Sequence, residues 1–175
     1  MTCPLVTIRE HRIPSADSKP YIAVQGPDGA LWFCESGAAK IGRFDPDRGI
    51  FTEFDLTDKN AMPIGITAGA DGNLWFAEKA ANKIGRITPR GEIAEFALPT
   101  ANAGPDGIAL GPDGNVWFSE SEASRIGRIA PDGSVRGEHD IPTPASGARC
   151  ITALADGRLF FTQYDAGLIG EVVVG

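Results

Sequence analysis

An all-β fold built from repeated units follows from three features of the sequence. A block of about 24 residues occurs four times, with its turn aspartates Asp28, Asp71, Asp113 and Asp156 spaced by 43, 42 and 43 residues. Short runs rich in β-formers flank each of these turns, as in Leu74-Trp75-Phe76. Glycine, at 22, and proline, at 13, are abundant, as many tight turns require. A period of roughly 40–45 residues made of short strands is that of a β-propeller blade.

Each unit reads as four antiparallel strands, a to d. In the second unit, 64–68 is lean in large side chains, which suits an innermost strand a crowded at a central axis. Asp71-Gly72 is a hairpin dipeptide, because glycine tolerates φ > 0. Strand b follows at 74–78 and strand c at 83–87. Strand d, at 92–98, alternates charged and apolar residues, as an exposed outer strand does. The blades are placed at 16–57, 58–100, 101–143 and 144–174 within a single domain, 1–175. The chain starts in the register of a strand d, at 5–14, and stops after a strand c. That first strand is expected to complete the last blade and remove its open edge, so the ends read as natural ends of the array. Trp32, Trp75 and Trp117, with Phe160 in the fourth unit, fill one slot and are expected to pack blade against blade. Arg43, Arg86 and Arg128 are expected to meet a neighbouring blade's carboxylate or carbonyl.

Composition narrows the partners. A net charge of −7 argues against nucleic acid and acidic membranes, which need clustered Lys and Arg. There is no apolar run of bilayer length and no apolar leader at the start. Three cysteines without metal-ligand spacing read as reduced thiols in a cytoplasmic protein, with Cys34 and Cys150 buried in strand slots.

The string Pro-x-x-Ile-x-x-Gly-x-Asp-Gly-x-Leu-Trp-Phe-x-Glu, followed by Lys-Ile-Gly-Arg and Glu-Phe-x-Leu-Pro-Thr, resembles the streptogramin B lyases, also called virginiamycin B lyases. The likeness runs over 5–174 and is strongest in 63–86 and 91–100. It implies a seven-bladed propeller that opens cyclic depsipeptide antibiotics by elimination, with a histidine base and a Mg²⁺ ion polarising the substrate carbonyl. Two departures follow. This chain has four repeats where the family has seven. An eight-bladed homodimer, each first strand completing the partner's last blade, is the favoured arrangement, and a four-bladed monomer is the alternative. The family's catalytic histidines would follow the proline of Pro-x-x-Ile, but that slot holds Tyr21, Ile64, Asp106 and Arg149. The two histidines, His11 and His139, fall in the outer-strand register, away from the axis.

In a propeller the d-to-a and b-to-c loops share a face. Tyr21, Ile64, Asp106 and Arg149 are therefore expected beside Glu35, Glu78, Glu120 and Gln163. The glutamates are either a ring of carboxylates or a consensus bonded to a neighbouring blade. Positions that break the repeat are the better site candidates: Tyr21, Asp106, Arg149, Gln163 and Tyr164. Arg149 suits a carboxylate or carbonyl ligand, and Asp106 with the glutamates suits a hard cation. Three functions compete. The first is a streptogramin-lyase-like propeller without the histidine-based elimination, taking a cyclic peptide or lactone. The second is a non-catalytic scaffold, and the third a gluconolactonase-like metal-dependent hydrolase.

Overall fold

The structure, a computed structural model, describes residues 6–174. The described residues form fifteen strands in four antiparallel sheets. Blade one holds β1 (Pro20–Gln25), β2 (Leu31–Glu35), β3 (Lys40–Asp45) and β4 (Ile50–Asp55). Blade two holds β5 (Pro63–Ala68), β6 (Leu74–Glu78), β7 (Lys83–Ile87) and β8 (Ile93–Ala97). Blade three holds β9 (Pro105–Leu110), β10 (Val116–Glu120), β11 (Arg125–Ile129) and β12 (Val135–Asp140). Blade four holds β13 (Ala148–Ala153), β14 (Leu159–Gln163) and β15 (Leu168–Val172). Within each sheet the strands follow in sequence order.

The repeated residues explain how the blade is made. Gly29, Gly72 and Gly114 adopt φ of 78, 75 and 75°, the left-handed region that an Asp-Gly turn demands. The turn aspartate also accepts a hydrogen bond from the tryptophan indole four residues on, at 2.9 Å for Asp28–Trp32 and 3.0 Å for Asp113–Trp117. The turn thus fixes the ring that enters the core. Three apolar clusters fill the spaces between successive blades. Trp32 packs with Ile66, Leu74 and Phe76, Trp75 with Ile108, Val116 and Phe118, and Trp117 with Ile151, Leu159 and Phe161. The expected blade-to-blade role of the tryptophans is what the packing shows.

The arginines divide. Arg86 donates to the Pro131 carbonyl of the next blade at 2.7 Å, as expected. Arg43 and Arg128 instead pair with the turn aspartates of their own blades, Asp28 at 2.7 Å and Asp113 at 3.2 Å. All three guanidinium groups lie 5.1–6.0 Å from the ring of their own blade's tryptophan. A long side chain lying along its own ring is led to the turn acid that holds that ring.

The fourth blade corrects one expectation. Its sheet has three strands, and residues 6–14 form none among the described residues, while Leu5 lies outside them. The segment instead runs beside blade one, where the His11 ring sits 4.7 Å from Phe44. The physical reason is position: Ser15 is bonded to Glu53 of blade one, so the chain leaves from that flank. Cys150 is exposed rather than buried, because it faces the open axial space that it lines with Ile22, Ile66 and Arg149. Cys34 is buried as expected, with its thiol 3.6 Å from the Gly65 carbonyl, and burial pushes its pKa far up, so it stays protonated.

Candidate functional site

The inner strands pack in the order β1, β5, β9, β13 and leave a cleft of about 380 Å³ along the axis. The register of each inner strand shifts by a bulge at the same place, between Pro20 and Ala23, Pro63 and Ile66, Pro105 and Ile108, and Ala148 and Ile151. A bulge leaves residues out of the ladder and re-aims their side chains. The re-aimed residues are Tyr21, Ile64, Asp106 and Arg149 with their successors, and all four line the cleft. In blades three and four, backbone groups freed at the bulges are satisfied by hydroxyls. Ser119 accepts from Gly107 N at 2.9 Å and donates to the Arg149 carbonyl, and Thr162 accepts from Cys150 N at 3.2 Å.

The wall of the cleft is apolar, with Ile22, Ile64, Ile66, Ile108 and Ile151. Its polar end is a chain of charges. Asp106, buried, takes an ion pair from Lys79 at 2.9 Å and lies 3.7 Å from the Arg149 guanidinium. Lys79 also reaches Glu122 at 3.6 Å. The Arg149 guanidinium lies 4.7 Å from the Tyr164 ring centroid, and its Nε has no protein partner. Lys79 was not singled out from the sequence. Its signal was present, since it fills the slot of Ser36, Ser121 and Tyr164 and breaks the repeat as Tyr164 does.

The glutamates of the second set are not part of this cleft. Glu35, Glu78 and Glu120 are fully buried within their own blades. Glu35 and Glu120 run across the glycine of the Ile-Gly-Arg strand: a Cβ built on Gly42 would lie 2.7 Å from Glu35 Oε1, and one on Gly127 2.9 Å from Glu120 Oε1. Beyond that glycine stands the outer strand's glutamate, since Gly42 pairs with Glu53, Gly85 with Glu95 and Gly127 with Glu138. The outer glutamates are well satisfied. Glu53 accepts from Ser15 N at 2.9 Å and pairs with Lys40 at 3.3 Å. Glu95 accepts from Thr57 N at 3.1 Å and pairs with Lys83 at 2.8 Å. These partners hold Glu53 and Glu95 below the usual carboxylate range despite partial burial. As carboxylates the inner glutamates would have no donor for any of their oxygens. Burial first, and the facing outer carboxylate second, push Glu35 to about 7, Glu78 to about 7 and Glu120 to about 8. Below about pH 7 the inner carboxyl is thus favoured as the neutral acid, and the expected bond to a neighbouring blade is absent. Gln163 fills the same slot in blade four as a permanently neutral amide.

A cation centre does not assemble. Among the described residues no three His, Cys, Asp or Glu side chains converge, and Asp106 already faces two cations. The residues present do not fit a Mg²⁺ ion. His139 is exposed on β12 and stacks 6.3 Å from Trp117, and His11 lies against blade one, so neither enters the cleft.

Comparison with known proteins agrees with this architecture. The virginiamycin B lyase of Streptomyces coelicolor is 43% identical over 52 residues, which are 30% of this chain and 17% of that protein. The solved structure of a catalytically inactive histidine-to-alanine variant of Staphylococcus aureus virginiamycin B lyase, with quinupristin, superposes with a TM-score of 0.88 at 41% identity. It covers 94% of this chain and 59% of that one. The solved structure of a protein described as a gluconolactonase matches at 17% identity and a TM-score of 0.66, over 82% of this chain and 57% of that one, a likeness of fold alone. The chain therefore spans less than two thirds of the solved lyases it matches. The profile of the virginiamycin B lyase family matches residues 4–175, and the chain belongs to that family.

Proposed function

We propose that the axial cleft binds a small cyclic peptide or lactone and that this chain alone does not carry out the ring-opening elimination. The carrying observation is the set of four bulged slots. All four converge on the cleft, and they present Tyr21, Ile64, Asp106 and Arg149 with no histidine. Asp106 is a poor substitute base, because its Oδ2 is held by Lys79 and faces Arg149, two cations that favour the carboxylate. In the Staphylococcus aureus relative, a histidine-to-alanine variant is catalytically inactive. What the cleft retains suits binding: apolar walls for the hydrophobic part of a ligand, and the partly exposed guanidinium of Arg149 for a carbonyl or carboxylate.

Quinupristin is the direct probe. Calorimetry is expected to show saturable binding, and mass spectrometry is expected to show the intact ring after long incubation with Mg²⁺. Arg149→Ala is expected to weaken binding about tenfold or more, the worth of a charge-assisted hydrogen bond. Ring opening well above buffer would overturn the absence of elimination. Binding indifferent to Arg149→Ala would remove the cleft as the site.

A further inference from the structure

We propose that Lys79 decides whether Arg149 is open to a ligand, a role that rests on the axial cleft being the binding site proposed above. Lys79 is a positioning residue: it acts through Asp106 and does not itself touch the ligand.

The slot that Lys79 fills has the same backbone in all four blades. Its N–H donates to the carbonyl of the turn that precedes the inner strand, Ser36 to Lys19 at 3.3 Å, Lys79 to Met62 at 3.2 Å, Ser121 to Gly104 at 3.1 Å and Tyr164 to Gly147 at 3.0 Å. In blades one and three the serine hydroxyl adds a second bond to that same carbonyl, at 2.8 Å from Ser36 and 2.9 Å from Ser121. The serine therefore serves its own blade. Lys79 and Tyr164 give up that second bond, and the backbone bond forms without it. Their side chains go to the charges at the end of the cleft instead, Lys79 across to Asp106 of blade three and Tyr164 to Arg149 of its own blade. What these two side chains supply is thus not needed to build a blade.

Asp106 poses the problem that Lys79 solves. Its side chain is 11% exposed, and a buried carboxylate without a cation is costly. Two cations are within reach, and both face the same oxygen. Lys79 Nζ donates to Oδ2 at 2.9 Å, while Arg149 Nη1 stands 3.7 Å from it, beyond a hydrogen bond. Glu122, at 3.6 Å, steadies Lys79 from its other side. With the acid held by Lys79, the Arg149 guanidinium rests 4.7 Å from the Tyr164 ring centroid, and the side chain stays 42% exposed. As the sole partner of Asp106, Arg149 would need to close a gap of only about 1 Å to make a charge-assisted hydrogen bond. Its guanidinium would then be taken up by the protein and lost to a carbonyl or carboxylate from outside. The three residues belong to successive blades, so a change on blade two is felt on blade four.

Labelling of Arg149 by phenylglyoxal, followed by peptide mass mapping of the full chain without ligand, tests this. Lys79→Met is expected to slow the labelling about tenfold, the worth of one charge-assisted hydrogen bond. Lys79→Arg is expected to keep the wild-type rate, and adding Asp106→Asn to Lys79→Met is expected to restore it. Lost packing at position 79 would produce neither result. Affinity for quinupristin should fall and recover in step with the labelling. Labelling that Lys79→Met leaves unchanged overturns the proposal. So does a marked rise in labelling with Asp106→Asn alone, which would mean that Asp106 already holds Arg149 in the wild type. If the wild type binds no quinupristin, it is the binding role of the cleft that fails, and the labelling rates still decide whether Lys79 frees Arg149.

Discussion

Trp75→Ala is expected to cost about 3–5 kcal/mol, the range for removing a large aromatic side chain from a packed core. Three losses coincide at this residue. The ring is fully buried in the cluster that joins blades two and three. Its indole donates to Asp71 at 3.2 Å, so the turn loses its anchor. The Arg86 guanidinium loses the ring 5.5 Å from it. Against a typical total stability of roughly 5–15 kcal/mol, such a loss brings the chain near the folding threshold. Phe160→Ala is the control. It occupies the same repeat slot, but it is only half-buried, because among the described residues no further blade covers it. Urea denaturation should show a clearly smaller loss for Phe160→Ala at similar slope. Equal losses would mean that packing between blades is not what the tryptophan supplies.

The blades and their strands were legible because they rest on local chemistry repeated four times. An Asp-Gly turn, a Trp-Phe strand and an Ile-Gly-Arg strand leave few alternatives when they recur in phase. Convergence of Tyr21, Ile64, Asp106 and Arg149 on the axis was legible too, since repeated positions must be related by the ring. The direction of Glu35, Glu78 and Glu120 was not. They stand opposite Pro20, Pro63 and Pro105 in the ladder, one residue before the cleft positions, yet the missing side chain of the strand-c glycine opens a channel the other way, into the blade. That depends on three strands together, and no single strand's pattern shows it. Lys79 was missed for a related reason. Its importance comes from Asp106 on the next blade, 27 residues away in the chain. Residues 5–14 carry a strand-d pattern, yet 6–14 form no strand, because pattern does not say whether an edge lies within reach.

Glu78→Gln is expected to stabilise the folded chain at pH 8 by on the order of 2 kcal/mol and to change little at pH 4, which would mark the buried acid as a neutral group in the native state. Burial, then the facing Glu95 carboxylate, raise Glu78 from its ordinary 4.5 to about 7 in the folded chain. Below pH 4.5 the acid is neutral folded and unfolded, and its favourable contribution is fully present. Between pH 4.5 and about 7 the unfolded chain ionises while the folded one does not, so stability falls with rising pH until the folded group also titrates. Glu35 and Glu120 act in the same direction, with folded values of about 7 and 8. Glu53 and Glu95 act oppositely, since their values are lowered, and their contribution is lost as pH falls below the ordinary carboxylate range. The chain is therefore expected to be most stable in mildly acid solution and to soften toward pH 8. Glutamine at position 78 keeps the shape and a donor toward Glu95 but has no proton to lose, as Gln163 shows the slot to accept. Melting temperatures at pH 4 and pH 8 for wild type and variant decide the matter. A variant that is less stable than wild type at pH 8 would show that Glu78 is ionised in the native chain and held there by a partner.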